Sequence, residues 1–352
     1  MQRKPVTRDV RAGGQHVLAE RIVRVGPLIG LPALVRDLGC DPDPIFAGAG
    51  FDLAQFADPD VEIPFVSASR LLARCVEATG CNHLGLLLGE RVDPSSLGVG
   101  GFMLRAAPDV GTALRSLVRH LDLHDQGAVA TLGTKGRETS LGYAIYLSGV
   151  EAADQIYDLS MTVVCRIMRA LCGAGWSPTE VRLSRQQPQE LAHYRQFFGA
   201  PLRFDAEQSA VIFPTRWLDH PIASADPLLH RHLEKEADDL HARQQTSFSA
   251  KLRQLLRTSL AARKITASDI AKQLHMHERT LNRRLREEGT TFRRELEEIR
   301  HEVARQLLAN SKMPLSKIAT ALNYADTTAF SRAFKRWSGS TPAQWRSRHT
   351  DP

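Results

Sequence analysis

The sequence predicts an α+β N-terminal region followed by an all-α C-terminal region, in which two helix-turn-helix units are joined by a long helix. Three observations predict it. The last third contains an internal repeat, an unbroken amphipathic stretch connects the two copies, and the first two thirds mix helical spacing with strand-like alternation. At 352 residues, 43% apolar and 24% charged, the chain is long enough to bury a sizeable core. Its composition is too balanced for disorder, collagen or a coiled-coil rod.

In the first two thirds, helical spacing covers residues 66–78 and 110–121. Residues 128–134 and 140–147 flank a turn at 135–139 containing Gly136, which reads as a hairpin. A strand at 181–184, a helix at 188–198 and a strand at 210–213 suggest a strand-helix-strand unit. Residues 226–243 (DPLLHRHLEKEADDLHAR) read as a polar-faced helix, and the polar stretch at 244–249 reads as a tether.

The repeat sets residues 269–289 (DIAKQLHMHERTLNRRLREEG) against 317–339 (KIATALNYADTTAFSRAFKRWSG). Ile270, Ala271, Leu274 and Met276 match Ile318, Ala319, Leu322 and Tyr324, while Leu281 and Leu285 match Phe330 and Phe334 after one inserted residue. Each copy is a short Ile-Ala-x-x-Leu helix, a break, and a second helix with apolar residues four apart on one face. That is a helix-turn-helix, and the small Ala sits where the two helices must cross closely. Between the copies, residues 292–308 place Leu296, Ile299, Val303 and Leu307 at helical spacing without Gly or Pro. This predicts one rigid strut of about 25 Å, able to hold two helices about one duplex turn (~34 Å) apart. Pro314 marks the start of the next helix. A helical solenoid is the competing account of a repeat, but two copies are few and their outer faces are basic.

Charge points the same way. From Ser247 onward there are 21 Lys and Arg against 10 Asp and Glu, a net of +11, whereas the remainder carries −4. A cationic segment on a mildly acidic body suits a polyanion, either nucleic acid or an anionic surface; the plainer account is a solvated basic face. The second helix of the first copy, residues 278–288, leaves Arg279, Thr280, Asn282, Arg283 and Arg286 outward. That of the second, residues 326–338, leaves Thr327, Thr328, Ser331, Arg332, Lys335 and Arg336. Arg pairs bidentately with guanine, Asn with adenine, and Thr reaches a base edge or a phosphate, so these are groove-reading residue types. Lys335 and Arg336 are expected to favour phosphates. Structured RNA fits less well, because the A-form major groove is too narrow for a helix.

Other chemistry is sparse. The longest apolar runs, 84–88 and 159–165, fall far short of the ~20 residues of a membrane span, and no apolar stretch follows the basic N-terminus as a secretion signal requires. A cytoplasmic address is therefore expected. Five cysteines (Cys40, Cys75, Cys81, Cys165 and Cys172) without a CxxC pair fit neither a disulfide framework nor structural zinc, and read as buried small hydrophobes. Gly98, Gly100 and Gly101 lack a phosphate-cradling pattern and read as a flexible loop. His120 and His124, four apart beside Asp125, would share a helix face, but no third spaced ligand accompanies them; His230 and His232 diverge on a helix. No catalytic residue, metal or cofactor is expected.

Residues 249–346 resemble the DNA-binding domain of AraC/XylS-type bacterial transcription regulators. The resemblance is most specific over 318–342 (IATALNYADTTAFSRAFKRWSGSTP). Residues 84–104 and 197–217 resemble, more loosely, the arabinose-binding-type N-terminal domain of one AraC subgroup. The resemblance implies an effector-binding and dimerisation domain at 1–243, a linker at 244–248, a DNA-binding domain at 249–346 and a tail at 347–352. It implies sequence-specific binding to promoter DNA, commonly as a homodimer and activator answering a small-molecule effector, with RNA polymerase as a further candidate partner. Two departures stand out. His275 and Asn323 replace a turn Gly, and His277 replaces the Ser that usually caps the first reading helix, so that helix is expected to be the more poorly capped. The alternative is an enzyme in the N-terminal region merely localised by the tail, and no nucleophile-base constellation supports it.

Overall fold

The structure is a computed structural model that describes residues 21–147, 149–244, 248–259, 265–274, 276–310 and 313–349. Strands β1 (Ile22–Arg24) and β2 (Glu62–Pro64) form a small antiparallel ribbon. A five-stranded sheet carries the rest, in the order β3 (Ala128–Lys135), β4 (Glu138–Ile145), β7 (Ser209–Pro214), β5 (Glu180–Arg182), β6 (Leu202–Arg203). The expected hairpin is β3 and β4, turning through Gly136 at φ +63°, a conformation glycine adopts without strain. The expected strand-helix-strand unit needs a correction. Its helix starts at Ala192 rather than 188, and β5 pairs in parallel with the short β6, whereas β7 lies antiparallel on the other side of β5. The segment ahead of Ala192 holds Pro188, which cannot donate a helical hydrogen bond, and runs irregularly.

The helices of this region are α1 (Leu31–Asp37), α2 (Pro42–Gly48), α3 (Phe65–Thr79), α4 (Leu84–Arg91), α5 (Val99–Ala106), α6 (Val110–His120), α7 (Ala153–Cys172), α8 (Ala192–Phe198) and α9 (Pro227–Gln244), of which α6 packs on β3 and α7 on β4 and β7. The two helices expected at 66–78 and 110–121 are α3 and α6. The long α7 is buried on most of its circumference, between α4 and strands β4 and β7. Its approach to α4 is so close that a side chain at Gly85 would strike the Gln155 carbonyl at 2.0 Å. The glycine-rich stretch is not a loop. Gly100 and Gly101 lie inside α5, and a Cβ at Gly101 would meet the Pro94 carbonyl at 2.1 Å, so its small size serves helix packing. Cys75, Cys81, Cys165 and Cys172 are buried as expected. Cys40 is only half-buried, its thiol donating to the Ala78 carbonyl. Burial pushes the thiols of Cys75, Cys165 and Cys172 up to about 12, which leaves them unreactive.

The C-terminal region contains α10 (Phe248–Ser259), α11 (Ala267–Gln273), α12 (Glu278–Glu287), α13 (Phe292–Asn310), α14 (Leu315–Ala321), α15 (Thr327–Ser338) and α16 (Pro342–His349). It has two separate cores. Leu252 and Leu256 of α10 pack with Ile270, Ala271, Leu281, Leu285, Leu296 and Ile299. Ala304, Leu308, Ile318, Ala319, Leu322, Phe330 and Phe334 form the second. The strut α13 runs through both, and its Val303 touches each. At 19 residues it is about 28 Å long, slightly more than expected. Neither α10 nor α16 was anticipated. Phe248, placed in the expected linker, begins α10, while 245–247 lie outside the described residues. Across the two regions, Lys317 of α14 pairs with Glu207, ahead of β7, at 2.5 Å.

Candidate nucleic-acid interface

The two repeats are built from the same local devices. In the second, α14 ends in a Schellman turn: Asn323 is left-handed at φ +58°, and the Tyr324 amide donates to the Ala319 carbonyl at 2.9 Å. Asn tolerates that conformation, which explains how it substitutes for glycine. The first repeat has the equivalent bond, Met276 amide to Ala271 carbonyl at 2.9 Å; His275, where the turn's left-handed residue is expected, lies outside the described residues. The reading helices then differ in the way the sequence suggests. Asp326 caps α15 by accepting from the Ala329 amide at 2.7 Å, whereas the His277 side chain makes no cap bond to α12. Both helices are followed by a left-handed glycine, Gly289 at φ +72° and Gly339 at φ +73°.

Packing fixes which faces remain free. Leu281 and Leu285 are fully buried, so α12 turns Arg279, Arg283 and Arg286 to solvent with Thr280 and Asn282 half-buried at the margins. Phe330 and Phe334 are fully buried and Trp337 packs against them, so α15 exposes Thr328, Arg332, Lys335 and Arg336, with Thr327 and Ser331 half-buried. All eleven residues expected at the interface therefore lie on the two outward faces or at their edges. Their electrostatic standing differs. Among the described residues, Arg279, Arg286, Arg332 and Lys335 have no ion-pair partner. Arg283 lies 3.7 Å from Glu287 one turn on, and Arg336 lies 3.5 Å from Glu297 of the strut. Both arginines are mostly exposed, so these pairs hold them only weakly.

Polar contacts outside the repeat hold the reading helices in place. The Glu288 carboxylate, just past α12, accepts from the Phe248 and Ser249 amides at 2.5 and 2.8 Å and thereby caps α10. Burial would raise its pKa, but those hydrogen bonds outweigh it and hold the group below the usual carboxylate range. Glu295 is 1% exposed and takes Arg253 of α10 at 2.5 Å and the Thr290 hydroxyl at 2.6 Å. In the second unit, Thr341 and Gln344 form a reciprocal capping box at the start of α16, and Trp345 meets Phe334 edge-on at 5.9 Å. The Thr-Pro-Ala-Gln spacing carries that signal in the sequence itself.

The N-terminal region has a partly open cavity of about 110 Å³ between α3, α6, α7 and the sheet. Its wall is mostly apolar, including Leu72, Leu117, Leu141, Ile156 and Val163, with a polar corner at Asp125 and Tyr143. Asp125 is buried, accepting from the Tyr143 hydroxyl at 2.5 Å and the Gly127 amide at 2.7 Å. Burial raises its pKa to about 6 against those hydrogen bonds. No sequence pattern marked this corner, because its residues come together from separate elements. The expectation that His120 and His124 share a helix face fails: α6 ends at His120, and a 3-10 turn at Leu121–Leu123 carries His124 elsewhere. His230 and His232 diverge as expected, the first buried against the Met103 carbonyl and the second exposed.

Comparison with known proteins agrees with the two regions. A family profile described as "Arabinose-binding domain of AraC transcription regulator, N-term" matches residues 39–222, more than half the chain. The chain belongs to this family of AraC-type transcription regulators. A second profile, a helix-turn-helix domain, matches residues 270–348 and covers both reading helices. The HTH-type transcriptional regulator VirS of Mycobacterium tuberculosis is 28% identical over 327 residues, covering 92% of this chain and 96% of that protein. The ornithine utilization regulator of Pseudomonas aeruginosa is 24% identical over 320 residues, covering 89% and 93%. The crystal structure of the transcriptional regulator CdpR of Pseudomonas aeruginosa covers 87% of this chain and 96% of that one, at 22% identity and a TM-score of 0.43. This AraC-type chain is thus a DNA-binding transcription regulator. Among the described residues, no helix is long and apolar enough to cross a membrane.

Proposed function

We propose that this regulator activates transcription in the cytoplasm by seating α12 and α15 in successive major grooves of promoter DNA, in response to a small molecule bound by its N-terminal region. The observation that carries the reading is the pair of separately packed units on one strut, each turning a face of Arg, Lys, Thr, Ser and Asn outward. Arg279, Thr280, Asn282, Arg283 and Arg286, with Thr327, Thr328, Ser331 and Arg332, read base edges; Lys335 and Arg336 hold phosphates. The sensor occupies 1–243 and the reader 249–346, joined through 244–248 and ending in a tail at 347–352. The effector enters the cavity beside Asp125. Its volume is of the scale that admits a molecule about the size of benzene, and its corner accepts a hydrogen-bond donor, so the ligand class is small, largely apolar and carries one donor group. Exposed Phe102 of α5, with Leu228 and Leu229 of α9, offers an apolar surface for a homodimer. Activation then follows from holding RNA polymerase at the promoter.

The test is selection of bound sites from random duplexes by the full chain. The expected product is a motif with two half-sites about one helical turn apart. Arg283→Ala should relax preference at particular base pairs by ~1–3 kcal/mol, whereas Arg336→Ala should weaken all duplexes alike and lower the salt slope by about one. No enrichment over scrambled competitor, or equal losses on every sequence for both variants, would overturn it.

A further inference from the structure

Where α6 ends, the sensor body meets α9, and a potential ligand there is joined by two more lying 118 and 121 residues further along the sequence. His120 closes α6, while Asp238 and His241 lie three apart on α9 and so share a face. The Nδ1 atoms of His120 and His241 face each other at 3.4 Å, and a carboxylate oxygen of Asp238 lies within 4.8 Å of both. That nitrogen separation is long for a direct hydrogen bond. It matches two imidazoles bound at 2.0–2.1 Å to one tetrahedral ion, which stand about 3.4 Å apart.

The surroundings have the form of a metal ligand's support. Asp122, in the turn after α6, accepts from His241 Nε2 at 2.8 Å, and this bond selects the tautomer whose Nδ1 carries the lone pair. Arg119 Nη2 reaches both oxygens of Asp238, at 3.0 and 3.3 Å, and orients that carboxylate. His120 is 3% exposed, so its ring is packed in place at the end of α6. Asp238 is half-exposed, so water can reach the cluster from its side.

We propose that His120, His241 and Asp238 form a binding site for a zinc-class divalent transition ion that fastens α9 to the sensor body. Two imidazoles with one carboxylate suit zinc, cobalt or nickel rather than magnesium or calcium, which prefer oxygen ligands. Because α9 is the last described helix before α10 of the reader, the ion would stiffen the helix through which the two regions are joined.

The test uses the full chain stripped of metal by a chelator and titrated with Zn²⁺ by calorimetry and with Co²⁺ by visible absorption. One ion per chain, with the cobalt absorption of a tetrahedral site, is expected. His241→Ala and Asp238→Asn should each weaken binding at least tenfold, Asp122→Asn by about 10- to 100-fold, and the exposed His232→Ala should leave it unchanged. The half-exposed position of Asp238 keeps that variant informative even if His241→Ala perturbs folding. Absence of stoichiometric uptake by the unaltered chain, or uptake equal in Asp238→Asn and the unaltered chain, overturns the proposal. The readout is ion binding alone, so its failure leaves the DNA-binding reading untouched.

Discussion

Replacing Phe334 by Ala should unfold the second helix-turn-helix while leaving the first in place. Phe334 is fully buried at the centre of its cluster, with ring neighbours Phe330 and Trp345 each at 5.9 Å and His301 at 5.8 Å. Truncating a buried Phe to Ala costs about 3–5 kcal/mol, and the lost ring contacts place this site toward the upper end. A unit of about 45 residues has only about 2–7 kcal/mol of stability at the usual rate per residue, so the loss is comparable to the whole. The first unit has its own eight-residue buried cluster and none of those side chains touches Phe334. Hydrogen exchange on the full chain is the assay, followed peptide by peptide. Amides of α14 and α15 should lose protection while those of α11 and α12 keep it, and footprinting on a selected duplex should retain one half-site. The mirror variant, Leu285→Ala, should cost about 2–5 kcal/mol and give the opposite pattern. If protection fell together across α11, α12, α14 and α15 in either variant, the two-core reasoning would be wrong. Val303, in contact with both clusters, would then be transmitting enough energy to make the reader one cooperative block.

Two further outcomes follow from local physics. His277→Ser should add about 1 kcal/mol to α12 by supplying the missing cap, and Asp326→Ala should remove about as much from α15; helix-resolved hydrogen exchange would read both, and no gain in α12 would mean its start is capped some other way. The raised pKa of Asp125, about 6 in the folded chain, means that the native state holds a proton there between about pH 4 and 6 that the unfolded chain has released. Stability should therefore fall as pH rises through that window, by about 3 kcal/mol at most, and Asp125→Asn should lack this component in urea titrations at pH 4.5 and 6.5. An identical pH dependence in the variant would show that Asp125 ionises freely in the native state.

The legible parts of this protein are those encoded by neighbours in sequence. Ile270-Ala271 and Ile318-Ala319, the leucines and phenylalanines four apart, and Asp326 ahead of α15 specify helices, turns and caps through interactions spanning a few residues. The same periodicity that buries Leu281 and Phe330 leaves Arg279, Arg283, Arg286 and Arg332 outside, so the candidate interface was readable as the complement of the core. Where reading failed, a distant partner decided. Gly101 lies in α5 where the helix passes so close to the carbonyl of Pro94 that no side chain fits, and no loop composition rule contains that contact. Helix α10 carries a helical spacing of its own in Phe248, Leu252 and Leu256, but its seat on the reader is set by Glu288 and Glu295, about 40 residues away on other elements.

Sequence by itself determined the duplicated reader, its stiff connecting helix and the sign of its field, because each depends on local spacing and on a sum of charges. Only the tertiary structure decided the strand order, the buried corner of Asp125 and Tyr143, and the meeting of His120 with His241. Those arise when chain segments more than a dozen residues apart are brought within bonding distance, and hydrophobic burial drives that approach without leaving a periodic trace in the residues it joins.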